Sequence, residues 1–141
     1  MRSIFVFLRD TTEDEVAAYF DLAYPAQQRP WLVTAAKDPC LYINFLNEDF
    51  RELEPEDWLR LKQAFRGEPA VRVMADVSGR HPGDEQVFNF VTDLLVRFSG
   101  LAQDEYTEHL WSLDELRFGH QVLGHPFFDY KGWYAEYESD T

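Results

Sequence analysis

The chain has 141 residues, 45% apolar and 16% aromatic, with 13 basic against 26 acidic side chains and a net charge of −13. That is enough chain for one domain, residues 1–141, with its own core. The charge repels nucleic acid and anionic membrane surfaces, so neither is an expected direct partner, whereas a basic protein surface would be attracted.

The single cysteine, Cys40, sits beside Leu41, Tyr42 and Ile43. It reads as a small core residue rather than a nucleophile, and a lone thiol suits a reducing cytoplasm. Residues 3–8 are too short an apolar run for a signal peptide, and no run approaches the length of a membrane span.

Residues 4–8 are continuously apolar, as in a strand buried on both faces. Thr12 and Glu15 match a capping box, and Val16, Tyr19, Phe20 and Ala23 then mark one helical face ending before Pro25. Residues 31–36 and 40–46 read as two strands, with a turn at Lys37-Asp38-Pro39. Residues 48–57 are acidic and irregular. Pro55 suits a first helical turn, and Trp58, Leu61 and Phe65 continue that helix to Gly67. Val71, Val73, Ala75 and Val77 alternate with polar or larger residues, the period of a half-buried strand. Ser78-Gly79-Arg80-His81-Pro82-Gly83 breaks it, and Asp84 is the expected cap of the next helix. Val87, Val91, Leu94, Leu95 and Phe98 form its apolar face, and Gly100 is the expected left-handed stop.

The first six elements, β-α-β-β-α-β, have the order of a ferredoxin-like α+β sandwich. An added helix follows, completing a core over residues 1–100. Residues 101–141 then form an acidic, aromatic-rich C-terminal extension packed on it. Ser112 and Glu115 form a second capping box, which predicts a short helix from Leu113 to about Phe118, stopped by Gly119. The tail, with Phe127, Phe128, Tyr130, Trp133, Tyr134 and Tyr137, carries turn signals at His125-Pro126 and Lys131-Gly132. It is expected to form a hairpin or irregular wrap.

Residues 101–141 hold nine Asp and Glu against two Lys and Arg. Asp104, Glu105, Glu108, Asp114 and Glu115 cluster around Tyr106 and Trp111. Rings that can be buried, set among charges that steer, are what a protein interface uses, so these seven residues are the candidate partner-binding set. Reversing Asp104, Glu105 and Glu108 to Lys should weaken binding without unfolding the chain. The structural reading of the same residues is a core Trp and Tyr with a solvated acidic side. A metal-dependent hydrolase using Asp76, His81 and His109 is the second reading, although no standard ligand spacing is present and no metal or cofactor is expected. A phosphate site at the 78–83 turn lacks the Walker and Rossmann patterns. No nucleophile motif surrounds Ser78, Ser99 or Ser112, so no catalytic residue is assigned. The third reading is a ligand-binding or homodimeric structural module built on the aromatic tail.

The run from Asp76-Val77-Ser78-Gly79-Arg80 through Leu94-Leu95 to Gly100-Leu101-Ala102-Gln103-Asp104-Glu105-Tyr106 and Leu110-Trp111-Ser112-Leu113-Asp114-Glu115-Leu116 resembles small bacterial immunity proteins of polymorphic and contact-dependent toxin systems. His125-Pro126-Phe127-Phe128-Asp129-Tyr130 resembles them too. The resemblance implies a small, cytoplasmic, non-enzymatic protein that neutralises a cognate toxin domain by binding it. Many such toxin domains are basic, nucleases among them. The resemblance carries over no site residue.

Overall fold

The computed structural model describes residues 2–24, 30–46 and 69–139, together with residues 56, 59 and 63. Among the described residues the fold is α+β, with an open antiparallel sheet of five strands and four continuously described helices. The elements run β1 (Arg2–Leu8), α1 (Glu13–Ala23), β2 (Trp31–Ala35), β3 (Asp38–Phe45), β4 (Val71–Val77), α2 (Asp84–Arg97), β5 (Gly100–Asp104), α3 (Leu113–Arg117) and α4 (Tyr130–Ser139). The strand order is β2-β3-β4-β1-β5, so β4 lies between β1 and β3 and every pairing is antiparallel, whereas the expected ferredoxin-like sandwich would set β1 between β3 and β4. The expected helix carrying Trp58, Leu61 and Phe65, and the irregular stretch before it, lie outside the described residues apart from Glu56, Leu59 and Gln63, which are helical. Among the described residues no helix is long and apolar enough to cross a membrane.

Strand alternation builds the core. Ile4, Val6 and Leu8 pair with Ala75, Val73 and Val71 across one seam and with Asp104, Ala102 and Gly100 across the other. These rows, with Leu41, Ile43 and Phe45 of β3, share one buried cluster with α1 and α2. Helix α1 buries Val16 and Phe20 of its expected face, with Tyr19 half-buried and Ala23 exposed; α2 buries the expected Val87, Val91, Leu94 and Leu95 together with Phe90, and Phe98 is its extended C-cap. The Phe20 ring sits 5.0 Å from Trp31, 6.2 Å from Phe45 and 5.9 Å from Phe90, in tilted aromatic contacts. Cys40 is fully buried, and burial pushes its thiol pKa up, as befits a packing residue. On the opposite face Phe7 is covered by Phe5, Leu101 and Leu110.

Several local expectations change. The β2–β3 turn is Ala36-Lys37, both at positive φ (51° and 69°), so Asp38 and Pro39 belong to β3 and Pro39 pairs with Thr34 beyond a register shift. Gly83, at φ 76°, and not Asp84, is the N-cap of α2; Asp84 is its first helical residue, where a negative charge still suits the helix dipole. Gly100 is the first residue of β5 rather than a left-handed stop. A Cβ there would lie 2.1 Å from the Phe7 carbonyl oxygen, so only glycine lets β5 come this close to β1. The sheet therefore has a fifth strand drawn from the segment read as extension. The tail is not a hairpin: after a tight Val122–His125 bridge it becomes helix α4, begun by the Asp129 carboxylate accepting from the Gly132 N–H at 3.2 Å.

Candidate functional site

The acidic, aromatic segment begins with a buried charge. Asp104 continues the inward-facing row of β5, opposite Ile4, and is 2% exposed. One carboxylate oxygen accepts from the N–H groups of Tyr106 (3.1 Å) and Thr107 (3.2 Å), and the other from Phe128 N–H (2.8 Å). Burial raises its pKa despite these three donors. Phe128 is buried with φ 56°, a costly conformation for a bulky residue, and Asp104 holds its N–H in place. Asp104 is thus a structural anchor joining the β5 end to the tail, and not a contact for a partner.

Trp111 is corrected for the same reason. Its backbone pairs in both directions with Ala102, covering the outer edge of β5, and its side chain is 1% exposed. The rings of His109, His120 and Phe127 stand against it at 4.9, 5.8 and 5.7 Å. The fold thus gives Trp111 to the core. Tyr106 is half-buried, stacked with Trp133 at 6.4 Å, and burial pushes its hydroxyl up to about 12.

Of the seven predicted contact residues, Glu105, Glu108 and Asp114 are exposed. The first two lie on a loop tied down by the Asp104 carboxylate, by Gln103 Nε2 donating to Glu108 O (3.1 Å) and by His109 N–H donating to Thr107 Oγ1 (3.3 Å). Glu115 instead faces inward. Its Oε1 accepts from Ser112 N–H at 2.9 Å, completing the predicted capping box of α3. Its Oε2 meets His109 Nε2 at 2.9 Å and His120 Nε2 at 3.3 Å. Burial pushes Glu115 up, but the Ser112 N–H and the two imidazoles outweigh it, and its pKa lies below the usual carboxylate value.

The hydrolase triad does not assemble. Asp76 accepts from Ser3 Oγ at 2.5 Å, His81 pairs with Asp38 at 2.8 Å, and His109 belongs to the Glu115 group. A second acid–histidine group lies in the tail, around the buried His125. His125 Nδ1 meets Asp129 at 3.0 Å, Nε2 meets Glu136, and the ring stacks on Trp133 at 3.9 Å. Hydrogen bonds to Asp129 and Glu136 raise the His125 pKa.

Two surface features escaped the sequence reading. Phe118 and Leu123 are 86% and 78% exposed. Leu123 and Gly124 form a turn with both φ positive, which thrusts Leu123 outward; the adjoining Gly was the one available signal. Arg2, Tyr106, Tyr130, Trp133 and Tyr134 line an open cup of about 420 Å³. Arg2 donates there to the carbonyls of Pro82 and His81 and lies 4.2 Å from the Tyr130 ring, tying the tail to the β4–α2 turn. The chain matches no protein-family profile, no curated protein sequence and no solved structure.

Proposed function

We propose that this is a non-enzymatic, immunity-type protein that neutralises a toxin domain by binding it through the surface after β5. The carrying observation is that this segment, which also bears the exposed Glu105, Glu108 and Asp114, turns Phe118 and Leu123 almost wholly to solvent. Asp114 and Phe118 are four residues apart at α3, so charge and ring share one face. Large apolar side chains held outward on a folded surface suit burial against another protein. The net charge of −13 would steer a basic partner, and Glu105, Glu108 and Asp114 would set orientation. A cytoplasmic setting belongs to this same reading, and the single, buried Cys40 is consistent with it.

Capture of bound protein from the source cells on the tagged chain, followed by mass spectrometry, tests the reading. One stoichiometric partner, a basic C-terminal toxin domain of a secreted protein, is the expected result. Against that partner, Glu105→Lys, Glu108→Lys and Asp114→Lys together should slow association, most strongly at low salt. Phe118→Ala with Leu123→Ala should speed dissociation. If both variants bind the partner like the wild type, this surface is not the interface.

A further inference from the structure

We propose that His109, Glu115 and His120 form a binding site for one divalent transition-metal ion of the zinc class. Among the described residues they are the one group of three metal-capable side chains whose ligand atoms all lie within 4.8 Å of one another. Two imidazole nitrogens converge on a single carboxylate oxygen, at 2.9 and 3.3 Å. Ligands bound at the usual zinc distances in a tetrahedron stand about 3.3 Å apart, so the three atoms need only small movements to surround an ion. Two neutral nitrogens and one carboxylate are a known donor set for zinc and its neighbours, with a fourth position left for water.

The surroundings support the ligands. Glu115 is oriented by the Ser112 N–H on its other oxygen, the outer contact that metal-binding carboxylates use. His109 is fixed by its backbone bond to Thr107 and by its ring edge against Trp111. Beside the group lies a cavity of about 110 Å³ walled by Phe88, Trp111, Glu115, His120 and Phe127, enough for water. In that wall Trp111 holds a buried indole N–H with no hydrogen-bond partner among the described residues. A buried donor normally has one, and water held by an ion at this place would supply it. His120 is half-exposed, which gives an ion access from solvent. The other acid–histidine group lacks these properties: both nitrogens of its single imidazole are already occupied by carboxylates. The ion would clamp the loop bearing Glu105 and Glu108 to α3. This needs no toxin and is independent of the binding role.

The test is zinc(II) titration of the purified chain by calorimetry and native mass spectrometry, with cobalt(II) absorption as a readout of coordination. Glu115→Gln keeps the capping box, since Gln serves at that position, but loses the anionic ligand. His120→Ala removes a solvent-facing ring, and His81→Ala controls for surface histidine binding. One ion per wild-type chain is expected, with affinity lower by at least about tenfold in Glu115→Gln and in His120→Ala and unchanged in His81→Ala. Failure of the wild type to bind one ion, wild-type affinity in either ligand variant, or an equal loss in His81→Ala overturns the proposal.

Discussion

The sheet with its two long helices and the segment after Asp104 are stabilised by different groups. In the first, Phe20 touches Trp31, Phe45 and Phe90, and aliphatic rows from four strands fill the remaining space. Such contacts are indifferent to protons and ions. In the second, polar groups decide the path of the chain: Asp104 gathers three N–H donors, Glu115 completes the capping box of α3, and His125 bridges two acids under Trp133. Trp111, Leu116 and Phe128 of this segment join the core, but directional bonds set the path of the chain between them. The cost is sensitivity to conditions.

Single substitutions sharpen the contrast. Phe20→Ala should have the largest effect, lowering stability by about 3–5 kcal/mol through lost burial and a cavity. Asp104→Ala comes next, at about 2–4 kcal/mol. It strands three donors but also removes a desolvated charge, and the second effect offsets part of the first. Urea unfolding measures both. Near-UV circular dichroism should separate them, because Asp104→Ala loosens the ring cluster of the tail while α1 and the sheet stay formed. Equal loss of far-UV signal in both variants at equal denaturant would show that the two regions do not differ. The charge-reversal test of the interface must accordingly leave Asp104 intact: lysine at a position 2% exposed would unfold the segment before binding could be measured.

The next expected effect is pH dependence confined to the tail. The folded pKa of His125 is raised by its hydrogen bonds to Asp129 and Glu136. The folded chain therefore holds that proton more tightly than the unfolded chain. The resulting stability is full below the ordinary histidine value of about 6.5 and is lost as pH rises through the raised value. The urea midpoint should fall across that window in the wild type and fall less in His125→Asn. A midpoint that rises across the same window would reverse the assignment.

The same division explains what could be read from sequence. Period-two alternation exposed β4, and 3.6-residue spacing exposed α1 and α2, because apolar burial leaves a periodic trace. The α3 capping box and the Thr12 cap of α1 were legible because their chemistry is local, although in α1 only the Thr12 half forms and Glu15 accepts from Thr11 Oγ1 instead. Strand β5 was not, since its inward row is Gly100, Ala102 and Asp104, and a carboxylate occupies the place where the pattern calls for an apolar residue. Asp104 read as surface, and Trp111 stayed open between interface and core, because their partners, Phe128 and Ala102, are fixed only by the tertiary fold. Helix α4 was hidden by Lys131-Gly132, a turn signal in isolation. The glycine is there to admit a side chain from the preceding turn.

That glycine provides the smallest effect and the finest probe. A Cβ on Gly132 would stand 2.0 Å from Asp129 Oδ2 and 2.9 Å from His125 Nδ1. The Asp129 carboxylate can swing away and the His125 ring must shift slightly with it, so Gly132→Ala should fold. Alanine favours a helix interior by about 1 kcal/mol over glycine, and losing the Asp129–His125 contact opposes this, so net stability should change by less than about 1 kcal/mol. Titration is the more telling readout. With Asp129 displaced, His125 keeps only Glu136, and its pKa, followed by NMR of the imidazole protons, should drop toward the ordinary histidine value. A pKa unchanged from wild type would mean that Asp129 does not hold the proton on His125, leaving Glu136 to set the pH response of the tail.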